Sequence, residues 1–247
     1  MQKGRRNRRA LEDREAYPWL PGNLSREALH KVLFEGKRAQ LAQISSIAQF
    51  KKGENIYSDG EVLDKIFVII TGTVAAYKKS QDGKKHIVTF LYPEDLFGLW
   101  GGRRYIVSTE AITPVVAYSF RASALRQQLS RNPKTYSYFV TKICDQLSQN
   151  QDHALLLSRL YSAPKLAMFL NMQRQAQLMR GESTDEIYLP MRRTDIAEYL
   201  GLSLAALSRT FSMLSARRII KIRNRRHVII INRKVFEKLA NGRRTRK

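Results

Sequence analysis

The chain has 247 residues, with 44 lysines and arginines against 21 aspartates and glutamates, a formal net charge of +23. That length fits one large domain or two of ordinary size, and 43 % hydrophobic residues suffice for buried cores. The charge points to a polyanionic partner, nucleic acid before an anionic membrane surface, and the single cysteine, Cys144, excludes an intrachain disulfide framework or a site built from several thiolates.

Residues 1–25 are basic at Lys3, Arg5, Arg6, Arg8 and Arg9, aperiodic, and read as a flexible tail. No apolar stretch follows this start, so no secretory leader is expected. No apolar run approaches the ~18–20 residues of a membrane helix. The expected location is the cytoplasm, with no membrane partner. A short helical region is expected from Arg26 to about Ile47. Strand-like segments then dominate to about Phe120. Phe50–Tyr57, Lys65–Tyr77 and His86–Tyr92 are rich in β-branched and aromatic residues, with turn signals at Asp59-Gly60 and Asp82-Gly83. Short strands at this spacing suggest a sandwich or roll.

From about Pro133 to Leu160 the pattern is helical. Val140, Ile143, Leu147, Asn150, Ala154, Leu157 and Tyr161 step by alternating three and four residues, the signature of a heptad seam. A buried asparagine at Asn150 can fix register and two-strandedness; alternatively it is solvated near the end of the paired segment. Packing against the β-rich region would explain part of the same stripe. Ser162-Ala-Pro164 marks a new helix start and a hinge, because proline is tolerated in a first turn.

Arg193–Leu214 reads as two short helices broken by Gly201. Ile196, Ala197 and Leu200 form the buried face of the first. Gly201 stands where a tight turn needs a positive φ, and Ser203 is a good N-cap. Leu204, Leu207, Phe211 and Leu214 give the second helix one apolar face. Ala205, Ala206, Ser208 and Arg209 are left on the other side, where a helix–turn–helix would present them to base edges in the major groove. Ile219–Ile231 then reads as two strands around a polar turn at Asn224-Arg225-Arg226, a wing whose Arg223, Arg225 and Arg226 suit phosphate contact. From Arg217 to Lys247 the only acidic residue is Glu237, so the chain is expected to end in a basic tail.

In the β-rich region, Gly53-Glu54, Asp59-Gly60, Phe67–Val74 with Gly72, Asp82-Gly83 and Pro93-Glu-Asp-Leu-Phe97-Gly98 follow one another in the order and spacing of the β-roll of the CRP/FNR family of bacterial transcription regulators. The helix–turn–helix and wing fall where that family has them. Leu189-Pro-Met, Asp195-Ile and Tyr199-Leu-Gly-Leu resemble its FixK/FNR branch, here without the iron–sulfur cysteines. The resemblance implies an α+β fold: a β-roll of cyclic-nucleotide-binding type over 26–131, a dimerisation helix over 132–161, and a winged helix–turn–helix with basic tail over 162–247. It implies a homodimer on double-stranded DNA at a two-fold-symmetric promoter site, acting as an activator through contact with RNA polymerase. Val140, Ile143, Leu147, Asn150, Ala154 and Leu157 would line the dimer seam. Arg193, Thr194 and Ser203, with the wing arginines, would contact the DNA backbone.

Family members that bind cyclic AMP resemble one another just after Phe-Gly, in a glutamate and then an Arg-Ser/Thr-Ala element. Here Leu99 stands for the glutamate, and Trp100–Thr109 lacks the second element, so no cofactor is expected. Arg103 and Arg104 are expected in a solvated loop. On the recognition helix the branch pattern is Glu-x-x-Ser-Arg. Matching it gives Ala205, Ser208 and Arg209 as base readers: Arg209 for a bidentate guanine contact, Ser208 for a lighter one. Alanine cannot accept from cytosine, so a relaxed or altered half-site is expected relative to the TTGAT of the FNR type. The alternatives are a cyclic-nucleotide-responsive regulator and a largely non-specific DNA binder. No phosphate loop, nucleophile–base pair or metal-ligand cluster points to an enzyme.

Overall fold

The structure is a computed structural model that describes residues 44–98 and 102–241. The expected tail and most of the expected first helix lie outside those residues. Where that helix was expected to end, the chain is a strand instead: β1 (Ser45–Phe50) pairs antiparallel along its whole length with β8 (Val115–Arg121). Partnering by a strand some 70 positions away overrides a weak local helical pattern.

Between them come β2 (Asn55–Tyr57), β3 (Lys65–Thr71), β4 (Val74–Lys79), β5 (Lys85–Leu91), β6 (Leu96–Phe97) and β7 (Ser108–Ala111). They form two four-stranded antiparallel sheets, β1-β8-β3-β6 and β2-β7-β4-β5. The apolar run Lys65–Tyr77 is therefore two strands in different sheets. The chain turns between them at Gly72 (φ +94°), where a Cβ would stand 2.2 Å from the Pro114 carbonyl oxygen. Glycine is required there on both counts.

The unbroken run Ile66-Phe-Val-Ile on β3 has a physical reason. Phe67 and Ile69 face the other sheet, while Ile66 and Val68 meet the helices outside. Both faces are covered, so apolar residues do not alternate with polar ones. Between the sheets, aromatic rings form a column. Tyr57 stacks on Tyr105 at 3.8 Å, Phe67 on Phe97 at 4.9 Å, and Phe50 meets Phe67 edge-on at 6.0 Å.

Two helices follow the roll, α1 (Ala122–Arg131) and α2 (Pro133–Leu157). Pro133 sits in the first turn of α2, and the Asn132 side chain caps it by accepting from the Thr135 amide at 3.2 Å. At 25 residues α2 is about 37 Å long. Next come α3 (Ser162–Met179), β9 (Ile187–Tyr188), α4 (Arg193–Leu200), α5 (Leu204–Ala216), β10 (Ile220–Ile222), β11 (His227–Ile230) and α6 (Arg233–Ala240). The strands form a small sheet, β10-β11-β9.

The helix α6 lies within the basic C-terminal stretch, where the sequence reading named no helix. Asn232 caps it by accepting from the Val235 amide at 3.1 Å, and Phe236 and Ala240 are buried in the core shared with α3. Asparagine followed by apolar residues at one-turn spacing was the available signal, obscured by the basic charge on the other face. Among the described residues no helix is long and apolar enough to cross a membrane.

Candidate nucleic-acid interface

The helix pair forms as its sequence suggests. The Asp195 carboxylate accepts from the Arg192 amide and from the Arg192 guanidinium, each at 3.1 Å, which closes the start of α4. Gly201 ends it at φ +61°, ψ +42°. Lys165 from α3 donates to the Leu200 carbonyl at 3.2 Å, placing a cation at the negative end of the helix. Ser203 then accepts from the Ala206 amide at 3.1 Å and starts α5.

On α5 the buried residues are Leu207, Thr210, Phe211 and Leu214. Ala205, Ser208 and Arg209 are exposed together on the opposite face. Leu204 departs from expectation. Its spacing puts it on the apolar core face, yet it remains 46 % exposed. As the first residue of the helix it projects past the body of the core. It borders an open groove of about 540 Å³ whose far wall carries Lys84 and His86.

Arg193 also stands differently. Its guanidinium lies 3.5 Å from the centre of the Phe211 ring, and Nη1 is buried with no hydrogen-bond partner among the described residues. Burial pulls its pKa down to about 10, leaving it charged at neutral pH. The guanidinium at the start of α4 is thereby stacked on a buried ring of α5. Thr194 and Ser203 are exposed at the two helix starts, although the Ser203 hydroxyl is already used as a cap.

The wing arginines are not equivalent. Arg223 is tied to Glu186 at 3.1 Å, a carboxylate that His227 also approaches at 3.4 Å. Arg226 donates to the Tyr188 hydroxyl at 3.4 Å, and its amide donates to Asn224 at 2.8 Å, which shapes the turn. Arg225 is exposed at the tip and has no ion pair among the described residues.

The faces of α2 separate cleanly. Tyr138 and Phe139 pack on the roll, and Leu156 enters the core of the C-terminal unit. The heptad positions point elsewhere: Ile143 is 47 %, Leu147 56 % and Leu157 43 % exposed, and Tyr136 and Tyr161 continue the stripe at 56 % and 69 %. Asn150 and Ala154 are exposed on the same line, and Val140 is half-buried. Packing on the roll therefore does not account for the seam.

The junction between roll and helix pair was not legible in the sequence. Phe90 of β5 lies 5.2 Å from Tyr199 and 6.5 Å from Phe169, ring centre to ring centre. His153 of α2 stacks on Tyr199 at 3.8 Å and donates from Nε2 to the Tyr199 carbonyl at 2.7 Å. Lys84 pairs with Glu198 at 3.3 Å, and Tyr92 donates to Gln173 at 2.5 Å. None of these pairs shares a local period. Arg104, expected in a solvated loop, is exposed and donates to the Gly60 carbonyl at 2.6 Å. No group of three or more histidine, cysteine, aspartate or glutamate side chains that could hold a metal ion occurs among the described residues.

Residues 47–132 match the family of cyclic nucleotide-binding domains, and residues 164–239 match Crp-like helix-turn-helix domains. The nitrogen fixation regulation protein FixK of Bradyrhizobium diazoefficiens is 32 % identical over 67 % of this chain and 70 % of its own length. The transcriptional activatory protein AadR of Rhodopseudomonas palustris is 30 % identical over 74 % of this chain and 77 % of its own. The solved structure of FixK2 from Bradyrhizobium japonicum superposes with a TM-score of 0.72 at 28 % identity, covering 79 % of this chain and 97 % of that one.

Proposed function

The chain belongs to the CRP/FNR family of DNA-binding transcription regulators, and on that premise we propose that it works as a homodimer joined along α2, with two copies of α5 reading successive major grooves of a two-fold-symmetric site. The observation that carries this reading is the outer face of α5. Ser208 and Arg209 are exposed there side by side, on a helix whose other face buries Leu207, Thr210, Phe211 and Leu214. Arg209 supplies the bidentate donor for guanine and Ser208 a lighter contact. The centres of the two half-sites lie about 34 Å apart. Arg225 and Arg226 hold phosphates beside the groove, with Thr194 and Ser203 at the helix starts. Arg193 acts from behind, through Phe211.

We infer that the roll does not take a cyclic nucleotide, because Leu99 stands where the cyclic-AMP binders carry a glutamate and their Arg-Ser/Thr-Ala element is missing. Phe50, Tyr57, Phe67, Phe97 and Tyr105 pack together between the sheets, and the Tyr105 hydroxyl donates to the Lys65 carbonyl at 2.7 Å. We therefore assign the roll a scaffolding role: it docks the helix pair through Phe90, Tyr199 and Glu198. AadR is named as a transcriptional activatory protein, and this favours activation, which would act through RNA polymerase in the cytoplasm.

Selection of binding sites from random duplexes tests the reading. The expected product is a two-fold-symmetric sequence with a guanine in each half, altered from TTGAT because Ala205 lacks an acceptor. Arg209→Ala should cost roughly 1–3 kcal/mol per half-site. Failure to enrich any sequence, or an Arg209→Ala protein that binds the selected site as tightly as the parent, would overturn it.

A further inference from the structure

Glu186 stands just before β9, at the base of the wing, and its side chain is only 24 % exposed. The backbone there is fixed from α3. Gln177 donates from Nε2 to the Glu186 carbonyl at 3.1 Å, and its Oε1 accepts from the Tyr188 amide at 2.9 Å. Oε2 of the Glu186 carboxylate meets two basic side chains of the wing hairpin, Arg223 Nη1 at 3.1 Å and His227 Nδ1 at 3.4 Å. Oε1 is buried with no hydrogen-bond partner among the described residues. A carboxylate so covered depends on the cation beside it, because a buried charge left unpaired costs far more than a solvated one. The other two wing arginines carry no such tie. Arg225 is exposed with no ion pair among the described residues, and Arg226 is exposed and donates to the neutral Tyr188 hydroxyl.

We propose that Glu186 is a positioning residue that keeps Arg223 off the DNA backbone and so sets how many phosphates the wing holds. The inference rests on the phosphate role of the wing given above. To reach a phosphate, Arg223 must leave a carboxylate whose second oxygen already lacks a donor. That exchange satisfies one anion and strands another, whereas Arg225 gives up only water. The guanidinium of Arg223 therefore stands at the surface, 67 % exposed, with its charge already answered inside the protein. Glutamine at this position keeps the shape and one acceptor oxygen but removes the charge, which frees Arg223 to neutralise a phosphate.

The test measures binding of a random-sequence duplex over a salt series for the parent, Glu186→Gln, Arg223→Gln and the double variant. Each phosphate neutralised steepens the dependence of log Kd on log salt by about 0.9. Glu186→Gln should steepen it by about one unit per protomer and bind more tightly than the parent at low salt. The double variant should have the slope of Arg223→Gln alone, because the gain acts through that guanidinium. A gain that persists in the double variant comes from the lost negative charge itself and overturns the inference. So does a Glu186→Gln slope within about half a unit of the parent, whether or not its melting temperature falls, since Glu186 is then no more than a structural tie. Weaker binding by Glu186→Gln also overturns it, for the pair then aims Arg223 at a phosphate instead of withholding it. If Arg225→Gln leaves the slope of the parent unchanged, the phosphate role of the wing fails, and this inference with it.

Discussion

Replacing Leu147 by alanine should weaken self-association without unfolding the protein. Burying a leucine completely is worth about 1.5–3 kcal/mol. In the single chain Leu147 is already about half covered, being 56 % exposed, so the surface left for a partner is worth about 1–1.5 kcal/mol. In a two-fold-symmetric pair the same position is buried twice. The expected loss is about 2–3 kcal/mol, a rise of roughly 30- to 140-fold in the dimer dissociation constant. Sedimentation equilibrium over a concentration series reads that constant, and calorimetric melting reads the fold. Two comparisons separate the causes. Gln149→Ala changes an exposed residue off the seam and should leave association unchanged. Leu156→Ala empties a fully buried site and should cost about 2–5 kcal/mol of folding stability. The reasoning is refuted if Leu147→Ala leaves the dissociation constant within two-fold of the parent. It is equally refuted if its main effect is a fall in melting temperature like that of Leu156→Ala.

Three further outcomes are expected. Gly72→Ala should lose about 3 kcal/mol in chemical denaturation, because a positive φ and a carbonyl 2.2 Å from the new Cβ act together; a loss below about 1 kcal/mol would contradict the turn described here. Arg225→Gln should reduce the salt slope of DNA binding by about one unit per protomer. Arg223→Gln, whose parent side chain is engaged by Glu186, should reduce it less; equal slopes for the two variants would remove the distinction. Burial lowers the pKa of His153 below its ordinary value of 6.5, so the unfolded chain binds this proton first as pH falls. Stability is complete above pH 6.5 and is lost as pH drops toward the lowered folded value. His153→Phe, which keeps a ring on Tyr199, should flatten that part of the pH–stability curve; an unchanged slope would count against it.

Some features were readable because they depend on neighbours in sequence. Gly201 ends α4 in the left-handed region, Ser203 caps α5, Pro133 and Ser162 sit at helix starts, and the wing turns at Asn224. Each is a short-range matter of φ, side-chain capping or turn chemistry. Other features misled for the same reason. The run Lys65–Tyr77 carries a single β-rich composition, and only the approach of Pro114 to Gly72 shows why it must reverse. In α6 the basic residues concealed Phe236, whose burial depends on α3 more than fifty residues earlier.

The sequence alone determined the order of parts, the polar outer strip Ser208-Arg209 with Ala205 before it, and the heptad line along α2, since periodicity and turn residues are local and survive without knowledge of contacts. Tertiary structure decided which of those apolar positions are covered. It left Ile143, Leu147 and Leu157 open along α2, turned Leu204 out of the core, and drew Arg193 in over Phe211. It also brought His153 onto Tyr199, 46 residues away, to lock the helix pair against the rest of the chain. Burial is set by whatever surface arrives from elsewhere in the chain, and a pattern of three and four can say that a face is apolar without saying what meets it.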